Sequence, residues 1–322
     1  IFMKKTNFIA ILIIATQFIL MLSSSWNDSA IMDELAHIPA AYSYVAKMDY
    51  RLNPEHPPLI KDLSALPLLF FRPNFPTDTK AWTKDNNGQW TQGAIFLYES
   101  GNNPDKIIFW SRIPIMLLSL FMGWLIFSFF RKRYGDKIAL MTLAFFAFSP
   151  TVLAHSRFVT TDLAAAFGFF IGIIGLVLFL ENPTLKMAVL AGTLFGVAQL
   201  LKFSLILLFP IYIIIILIWF IAEKSYYRGI IKFPFFILQI LGKTVLIFAV
   251  GGVVIYGVYA FHVINYPAVS KEEVLNPSGR TSKVWTKEEL TEMVRLPEPQ
   301  RTEKIPSIPL YSDFAAWEEL AW

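Results

Sequence analysis

Long apolar runs recur along the chain and dominate its pattern of hydrophobic and polar positions. A helix that crosses about 30 Å of hydrocarbon needs ~20 mostly apolar residues, and somewhat fewer when its ends reach the interface. About seven runs meet this requirement: 8–26, 107–130, 138–154, 163–180, 185–201, 203–222 and 244–261. Membrane strands would instead alternate over about ten residues. The pattern therefore predicts an all-α polytopic membrane protein with about seven transmembrane helices.

Composition supports this class and narrows the chemistry. Hydrophobic residues make up 55% of the chain and charged residues 16%, whereas a soluble domain carries roughly 25% charged residues. The chain has no cysteine, which excludes disulfides, thiolate metal sites and thiol nucleophiles. A net charge of +4 is too weak a bias to indicate nucleic acid, so we expect membrane lipid and no nucleic acid as a partner.

Lysine and arginine clusters set the expected orientation. They stand before the first run, between the second and third, between the fourth and fifth, and after the sixth: Lys4–Lys5, 131–137, Lys186 and 224–232. Counting spans puts all of them on one side, which the positive-inside rule assigns to the cytoplasm. We therefore expect the long first loop at 27–106 and the short turn at 155–162 to lie outside the cytoplasm. The expected location is a bacterial-type plasma membrane.

Three segments leave room for interpretation. The first run has a basic start and small residues at 23–25, so a cleaved signal peptide is an alternative to a retained span. The apolar segment 233–241 is short and lies between lysines, so we predict an interfacial helix rather than a span. In the segment 263–322, residues 263–310 are rich in Pro, Lys and Glu. We therefore expect an extracytoplasmic, largely irregular segment.

The first candidate site is the acidic pair Asp33 and Glu34, just beyond the first run and at the start of a predicted helix toward Met48. Helical spacing puts His37 one turn beyond Asp33, where its imidazole could orient the carboxylate. Two alternatives remain open. The acids could simply favour the helix N-terminus electrostatically, or Glu34 and His37 could form a metal half-site of the kind found in di-iron bundles.

A second candidate is the segment 53–59, Asn-Pro-Glu-His-Pro-Pro-Leu. Its prolines forbid a continuous helix, so they hold Glu55 and His56 on a rigid turn. A plain loop with solvated charges is the alternative.

The turn 155–162 supplies a third candidate. Asp162 begins the fourth run, where helix capping alone could explain it. His155 and Arg157 lie beside it, and capping requires neither of them. The sequence therefore predicts a cluster of cations around one carboxylate.

Two single cations, Arg112 and Lys202, stand at span ends on the expected outer side. Snorkelling of long side chains toward the interface could account for either one. Their position runs against the positive-inside trend, however, and cations at this depth suit an anionic partner such as a lipid-linked phosphate.

Taken in order, these motifs resemble a known family. They run from the Asp33-Glu34 helix through 49–59, Arg112-x-Pro114, 149–162 and Lys202-Phe203-Ser204. The order resembles the protein O-mannosyltransferases, which are polyprenyl-phosphate-sugar-dependent glycosyltransferases of the GT-C fold that include the lipid A aminoarabinose transferases. The resemblance covers roughly residues 3 to 262. It implies a GT-C transmembrane catalytic domain at 1–262, whose long first external loop contains short helices.

The resemblance also implies roles for particular residues. In the family, the acidic pair of the first external loop supplies the catalytic carboxylate, which falls here on Asp33 with Glu34 beside it, and Asp162 matches the second active-site acid. The aminoarabinose branch has Glu-Lys-Pro-Pro where this chain has Glu55-His56-Pro57-Pro58. A metal or phosphate role for Glu55 carries over, and the role of the lysine passes to His56. Family members are usually longer, so we expect further sequence beyond Trp322.

Together these inferences predict an inverting transfer from a polyprenyl-phosphate sugar to a hydroxyl acceptor on protein or lipid at the outer membrane face. Asp33 is the expected base. The leaving phosphate would meet four basic residues: Arg112, Lys202, His56 and Arg157. Three others would support the site: His37, Glu55 and His155. A divalent metal is a possible cofactor, and the sequence requires none.

Two other classes remain open. A transporter or lipid flippase would place charges near the membrane midplane, often on broken helices, whereas here the acids cluster in an outer loop. A non-catalytic assembly protein with the same fold is the second alternative. Convergence of Asp33, Glu55, Asp162 and Arg112 on one external cavity would favour the enzyme.

Overall fold

The computed structural model describes residues 5–85, 87–226 and 233–266. This part of the chain contains helices and no strand. The α-helices in chain order are α1 (Lys5–Ser25), α2 (Met32–Tyr42), α3 (Leu59–Ala65), α4 (Leu68–Phe71), α5 (Lys80–Thr83), α6 (Gln89–Ala94), α7 (Pro104–Ala147), α8 (Pro150–His155), α9 (Asp162–Glu181), α10 (Leu185–Gln199), α11 (Leu208–Tyr226) and α12 (Phe233–His262). The predicted all-α membrane fold is confirmed.

Within these ranges, 5 helices are long and apolar enough to cross a membrane. One of them, α7, has 44 residues and contains the second and third predicted runs as two helical segments. The segments meet at a kink at Gly135, whose φ of 84° and ψ of 175° are not helical. Another predicted run became α10, which is apolar but has only 15 residues. The remaining runs lie in α1, α9, α11 and α12.

Several predicted boundaries were wrong. The third run does not continue helically to residue 154, because α7 ends at Ala147 and Pro150 starts a new helix. The segment 233–241 is not a separate interfacial helix, because α12 runs without a break from Phe233 to His262. Most of the predicted irregular segment 263–322 lies outside the described residues.

Short helices fill the first loop, as predicted. Helix α2 continues through a π-helical turn, Ser43–Lys47, and ends at Met48 with φ 54°. The aromatic rings of Tyr42 and Phe96 stack 5.6 Å apart and join α2 to the end of the loop. Helix α6 approaches α2 so closely that a Cβ on Gly93 would lie 1.8 Å from the carbonyl oxygen of Leu35. These contacts make the loop a packed layer rather than a flexible connection.

Polar contacts gather the basic segments at one end of the helices. Thr6 donates a hydrogen bond to Asp136 (2.7 Å), and Arg131 forms an ion pair with the same carboxylate (2.6 Å). Arg133 pairs with Glu181 at 2.7 Å. The start of α1, the break in α7 and the end of α9 therefore meet. The loop between α1 and α7 begins and ends at the opposite end of these helices.

Glycines allow α10 and α12 to approach backbone to backbone. A Cβ on Gly192 would lie 2.6 Å from the carbonyl oxygen of Ile247, and one on Gly196 would lie 2.7 Å from that of Gly251. Small residues four apart are the usual means of close helix packing in membranes. This contact fixes the end of α10, from which Leu200 and Lys202 reach the loop region.

We expect Gly196→Ala to destabilise the protein by about 1–3 kcal/mol, because the new methyl group meets a backbone carbonyl that cannot rotate away. Gly252→Ala is the matched control, because a Cβ there would have nothing within 4 Å. Thermal unfolding in detergent measures both variants. Equal melting temperatures for the two would contradict the close approach of α10 and α12.

Candidate active site

A buried ion pair organises the start of the first loop. The guanidinium of Arg112 donates from Nε to Glu34 Oε1 (2.9 Å) and from Nη2 to Glu34 Oε2 (2.7 Å). Both side chains are fully buried. Glu34 also accepts hydrogen bonds from the backbone N–H groups of Ile31 (3.1 Å) and Val159 (3.0 Å). The pair therefore joins α2, α7 and the turn before α9.

The other donors of Arg112 hold the end of α1. They bond the carbonyl oxygens of Asp28 (3.1 Å) and Ser29 (2.8 Å). Arg157 reaches the same region, where it pairs with the Asp28 carboxylate at 2.6 Å. Neither arginine lines the pocket described next. Glu34 does not line it either, so the structure separates these three residues from the rest of the predicted site.

A polar pocket of about 240 Å³ lies beside this ion pair. Its lining comes from α2, the 53–56 turn, α6, the turn before α9, the first residue of α9 and the segment between α10 and α11: Asp33, Ala36, His37, Asn53, Glu55, His56, Trp90, Thr160, Thr161, Asp162 and Lys202. Six of the predicted site residues therefore converge: Asp33, His37, Glu55, His56, Asp162 and Lys202.

Asp33 is exposed on the pocket wall, next in sequence to buried Glu34. Successive residues on a helix point about 100° apart, so one carboxylate enters the ion pair while its neighbour faces the pocket. Among the described residues, no side chain forms a hydrogen bond or ion pair with Asp33. Its carboxylate is therefore available to an incoming group.

His37 does not orient Asp33 as predicted. Its Nδ1 lies 2.9 Å from the carbonyl oxygen of Val159, to which it can only donate. Its ring also meets that of His56 edge to face, with centroids 5.3 Å apart. Burial and the charge of Lys61 lower the pKa of His37 to about 3. The same two causes lower the pKa of His56. Both rings are therefore neutral at pH 7.

Side-chain amides fix the 53–56 turn. Glu55 accepts hydrogen bonds from Gln89 (2.5 Å) and Asn87 (3.0 Å). Asn53 adopts a left-handed backbone with φ 51° and also bonds Gln89 through its side chain. A turn is present at this position, and Gln89 of α6 bonds two of its residues.

Lys61 is a buried cation beneath this turn that the sequence analysis missed. Its ammonium donates to the Asn53 side chain (2.6 Å), to the backbone carbonyls of Asn53 and His56 (2.9 Å each) and to Tyr44 Oη (2.9 Å). Burial lowers the pKa of Lys61 well below its usual value. The charged pair Lys61-Asp62 inside the otherwise largely apolar stretch 59–65 was the available signal.

The neighbouring Asp62 anchors the loop to the last helix. Its carboxylate lies 2.8 Å from His262 Nε2 at the end of α12. The backbone N–H of Leu59 donates to the carbonyl oxygen of Leu200 (3.2 Å), which adds a link to α10. The pocket therefore rests on helices from both halves of the chain.

Asp162 lies at the centre of the cation cluster predicted for the turn before α9. Lys202 Nζ donates to Asp162 Oδ1 (2.9 Å), and His155 Nδ1 lies 3.3 Å from Oδ2. Asp162 is the first residue of α9 rather than its cap, because Thr161 occupies the capping position. Arg157, which was also predicted to lie in this cluster, pairs with Asp28 instead.

The donor groups around the pocket do not form a metal site. In the described residues, no group of three or more His, Cys, Asp or Glu side chains could hold a metal ion. Both oxygens of Glu55 already accept amide hydrogen bonds. We therefore assign no chemical step to a metal and no metal-ligand role to Glu55.

The fold and the pocket define a polytopic helical membrane protein with a polar site beneath its first loop. Residues 103–255, just under half of the chain, match the family model described as dolichyl-phosphate-mannose-protein mannosyltransferase. The match confirms the resemblance and relates the chain to glycosyltransferases that use a polyprenyl-phosphate-mannose donor. The range includes Arg112, Asp162 and Lys202, whereas Asp33 and the 53–56 turn lie outside it. No curated protein and no solved structure matched the chain.

We expect Arg112→Gln to lower the free energy of unfolding by about 3–5 kcal/mol, because it leaves the buried Glu34 carboxylate without an opposite charge. Arg133→Gln is the control. It breaks an ion pair with the exposed Glu181, which is worth about 0–1 kcal/mol. Thermal unfolding of detergent-purified protein compares the two. A small loss at both positions would contradict the structural role of the buried pair.

A pH dependence follows from His37. Its pKa is about 3 in the folded protein and ~6.5 in the unfolded chain, so below pH ~6.5 only the unfolded chain binds the proton. Stability should fall by as much as ~1.4 kcal/mol per pH unit from this group between pH 5.5 and 4. His37→Asn retains a donor for Val159 and does not titrate.

The stability difference between the parent and His37→Asn should therefore shift in favour of the variant as the pH falls. Melting temperatures from pH 7.5 to 4.5 measure it. His155→Asn, which replaces a half-exposed histidine, is measured alongside it for comparison. A difference that is constant with pH would show that His37 takes up a proton freely when folded.

Proposed function

We propose that this protein transfers mannose or a similar sugar from a polyprenyl-phosphate carrier to a hydroxyl group, on the extracytoplasmic side of the membrane. The observation that carries the proposal is the convergence of Asp33, Asp162 and Lys202 on one pocket. The family match supports the type of donor. The acceptor is a hydroxyl on a protein, as the family description suggests, or on a lipid.

In the proposed reaction, Asp33 is the base. It accepts the proton of the acceptor hydroxyl while that oxygen attacks the anomeric carbon of the sugar. The bond from this carbon to the phosphate oxygen breaks on the opposite face, so the configuration inverts and polyprenyl phosphate leaves. A positioned base contributes about 10²–10⁴ in rate. The exposed carboxylate of Asp33, with no partner in the described part of the chain, suits this role.

Lys202 is the proposed group that stabilises the leaving phosphate. It lines the pocket and stands 2.9 Å from Asp162, which holds its ammonium in place. A cation fixed before the reaction stabilises developing charge without reorganisation. His56 is neutral in the folded protein and therefore contributes a hydrogen bond rather than a charge. Arg112 and Arg157 act at a distance, through the structure around α2.

The charges of the described residues favour an enzyme over a transporter. The acids Asp33, Glu55 and Asp162 meet on a pocket at one end of the helices rather than along a central path. Glu34 is buried, but Arg112 neutralises it. A site for a reacting group accounts for this arrangement better than a route through the membrane does.

We expect Asp33→Asn to reduce transfer by at least about 10²-fold, because the amide has nearly the same shape and cannot accept the proton. Asp105→Asn, an exposed acid in the first turn of α7, is the control with unchanged turnover. Membranes are incubated with polyprenyl-phosphate mannose, and products on proteins and glycolipids are measured by mass spectrometry. Full activity of Asp33→Asn with an unchanged melting temperature would remove Asp33 from the base role.

Orientation is tested in the same chain, which has no native cysteine. We expect Asp78→Cys, in the first loop, to react in intact cells with a thiol reagent that cannot cross the membrane. Asn182→Cys, at the other end of α9 from Asp162, should react only after the membrane is opened. The reverse pattern would put the pocket in the cytoplasm and contradict the proposed function.

A further inference from the structure

We infer that Trp90 is the surface against which the sugar ring of the donor packs, so that it helps to select the sugar. This inference rests on the proposed function and adds a specificity-determining residue to it. Trp90 lies on α6, which precedes the segment that matches the family model.

Trp90 differs from the other tryptophans in the described ranges: Trp26, Trp82, Trp110, Trp124 and Trp219. Each of those has an aromatic ring beside it, at centroid distances from 5.2 to 5.8 Å. Trp90 has no ring contact, cation contact or hydrogen bond with any described residue. It is 42% exposed and lines the pocket. A large apolar surface is therefore open to whatever enters the pocket.

The element that carries Trp90 is held in place. Next to it, Gln89 is buried and bonds both Glu55 and Asn53. Three residues further on, Gly93 contacts the backbone of α2 at Leu35. The backbone that carries the indole is thus held on both sides along α6. The indole itself has only two rotatable side-chain bonds, so it loses little entropy when a ligand packs on it.

The pocket has the chemistry of a sugar site. A pyranose ring presents hydroxyl groups around its edge and C–H groups on its faces. Asp33, Asp162, Thr160 and Thr161 offer hydrogen-bonding groups for the edge, and Trp90 supplies the apolar wall for a face. The cavity of about 240 Å³ equals roughly eight water molecules in volume, which suits one monosaccharide. A polyprenyl tail would instead need a long apolar groove.

Binding to the detergent-purified protein tests the inference, with two lipids compared: polyprenyl-phosphate mannose and polyprenyl phosphate without sugar. We expect Trp90→Ala to weaken binding of the mannose-bearing lipid by roughly tenfold and to leave the sugar-free lipid unaffected. Trp90→Phe, which retains a ring, should lose less. Trp26→Ala is the control, since Trp26 is 66% exposed and lies outside the pocket.

The outcomes separate this inference from the proposed function. Equal weakening for both lipids would assign Trp90 to the carrier and overturn the inference. No change with either lipid would make Trp90 an ordinary interfacial tryptophan and overturn it too. If the parent protein binds neither lipid, the proposed function fails, and the inference fails with it.

Discussion

The ion pair between Arg112 and Glu34 is the interaction on which the rest of the site depends. Two charges removed from water are costly unless nearly all of their hydrogen-bonding groups are used, and here the guanidinium and the carboxylate meet each other and four backbone groups. The geometry thereby fixes the rotation of α2. Because Glu34 must face inward, Asp33 must face the pocket. A structural residue thus determines where the candidate base points, without touching a substrate itself.

A second buried cation, Lys61, supports the 53–56 turn, which forms another wall of the pocket. Its ammonium bonds the backbone carbonyls of Asn53 and His56 and the side-chain oxygen of Asn53, where Asn53 has a left-handed backbone. Its charge also lowers the pKa of His37 and His56. The polar surface of the pocket therefore combines carboxylates and neutral imidazoles with the ammonium of Lys202. Carboxylates and imidazoles suit the hydroxyl groups of a neutral sugar, and the ammonium suits the phosphate joined to it.

Most of the helical architecture could be predicted because apolar runs of membrane length have few alternatives. Site residues that are close in sequence could also be predicted, as with Glu55 and His56 on the turn between prolines, which both line the pocket. The sequence could not tell which acid of the Asp33 and Glu34 pair faces inward, because that depends on Arg112, 78 positions away. Nor could it show that Arg112 and Arg157 bind protein groups rather than phosphate. Trp90 and Lys61 were missed because their surroundings come from distant segments.

The contact between Asp62 and His262 joins residues separated by 200 positions. During synthesis, a growing chain therefore carries Asp62 without its partner until nearly all of the described helices have been made and inserted. The loop that contributes most of the pocket is synthesised early, whereas His262, which contacts Asp62 of this loop, is synthesised late. Maturation of the site thus waits for α12, and a chain that stalls before this helix is complete lacks that anchor.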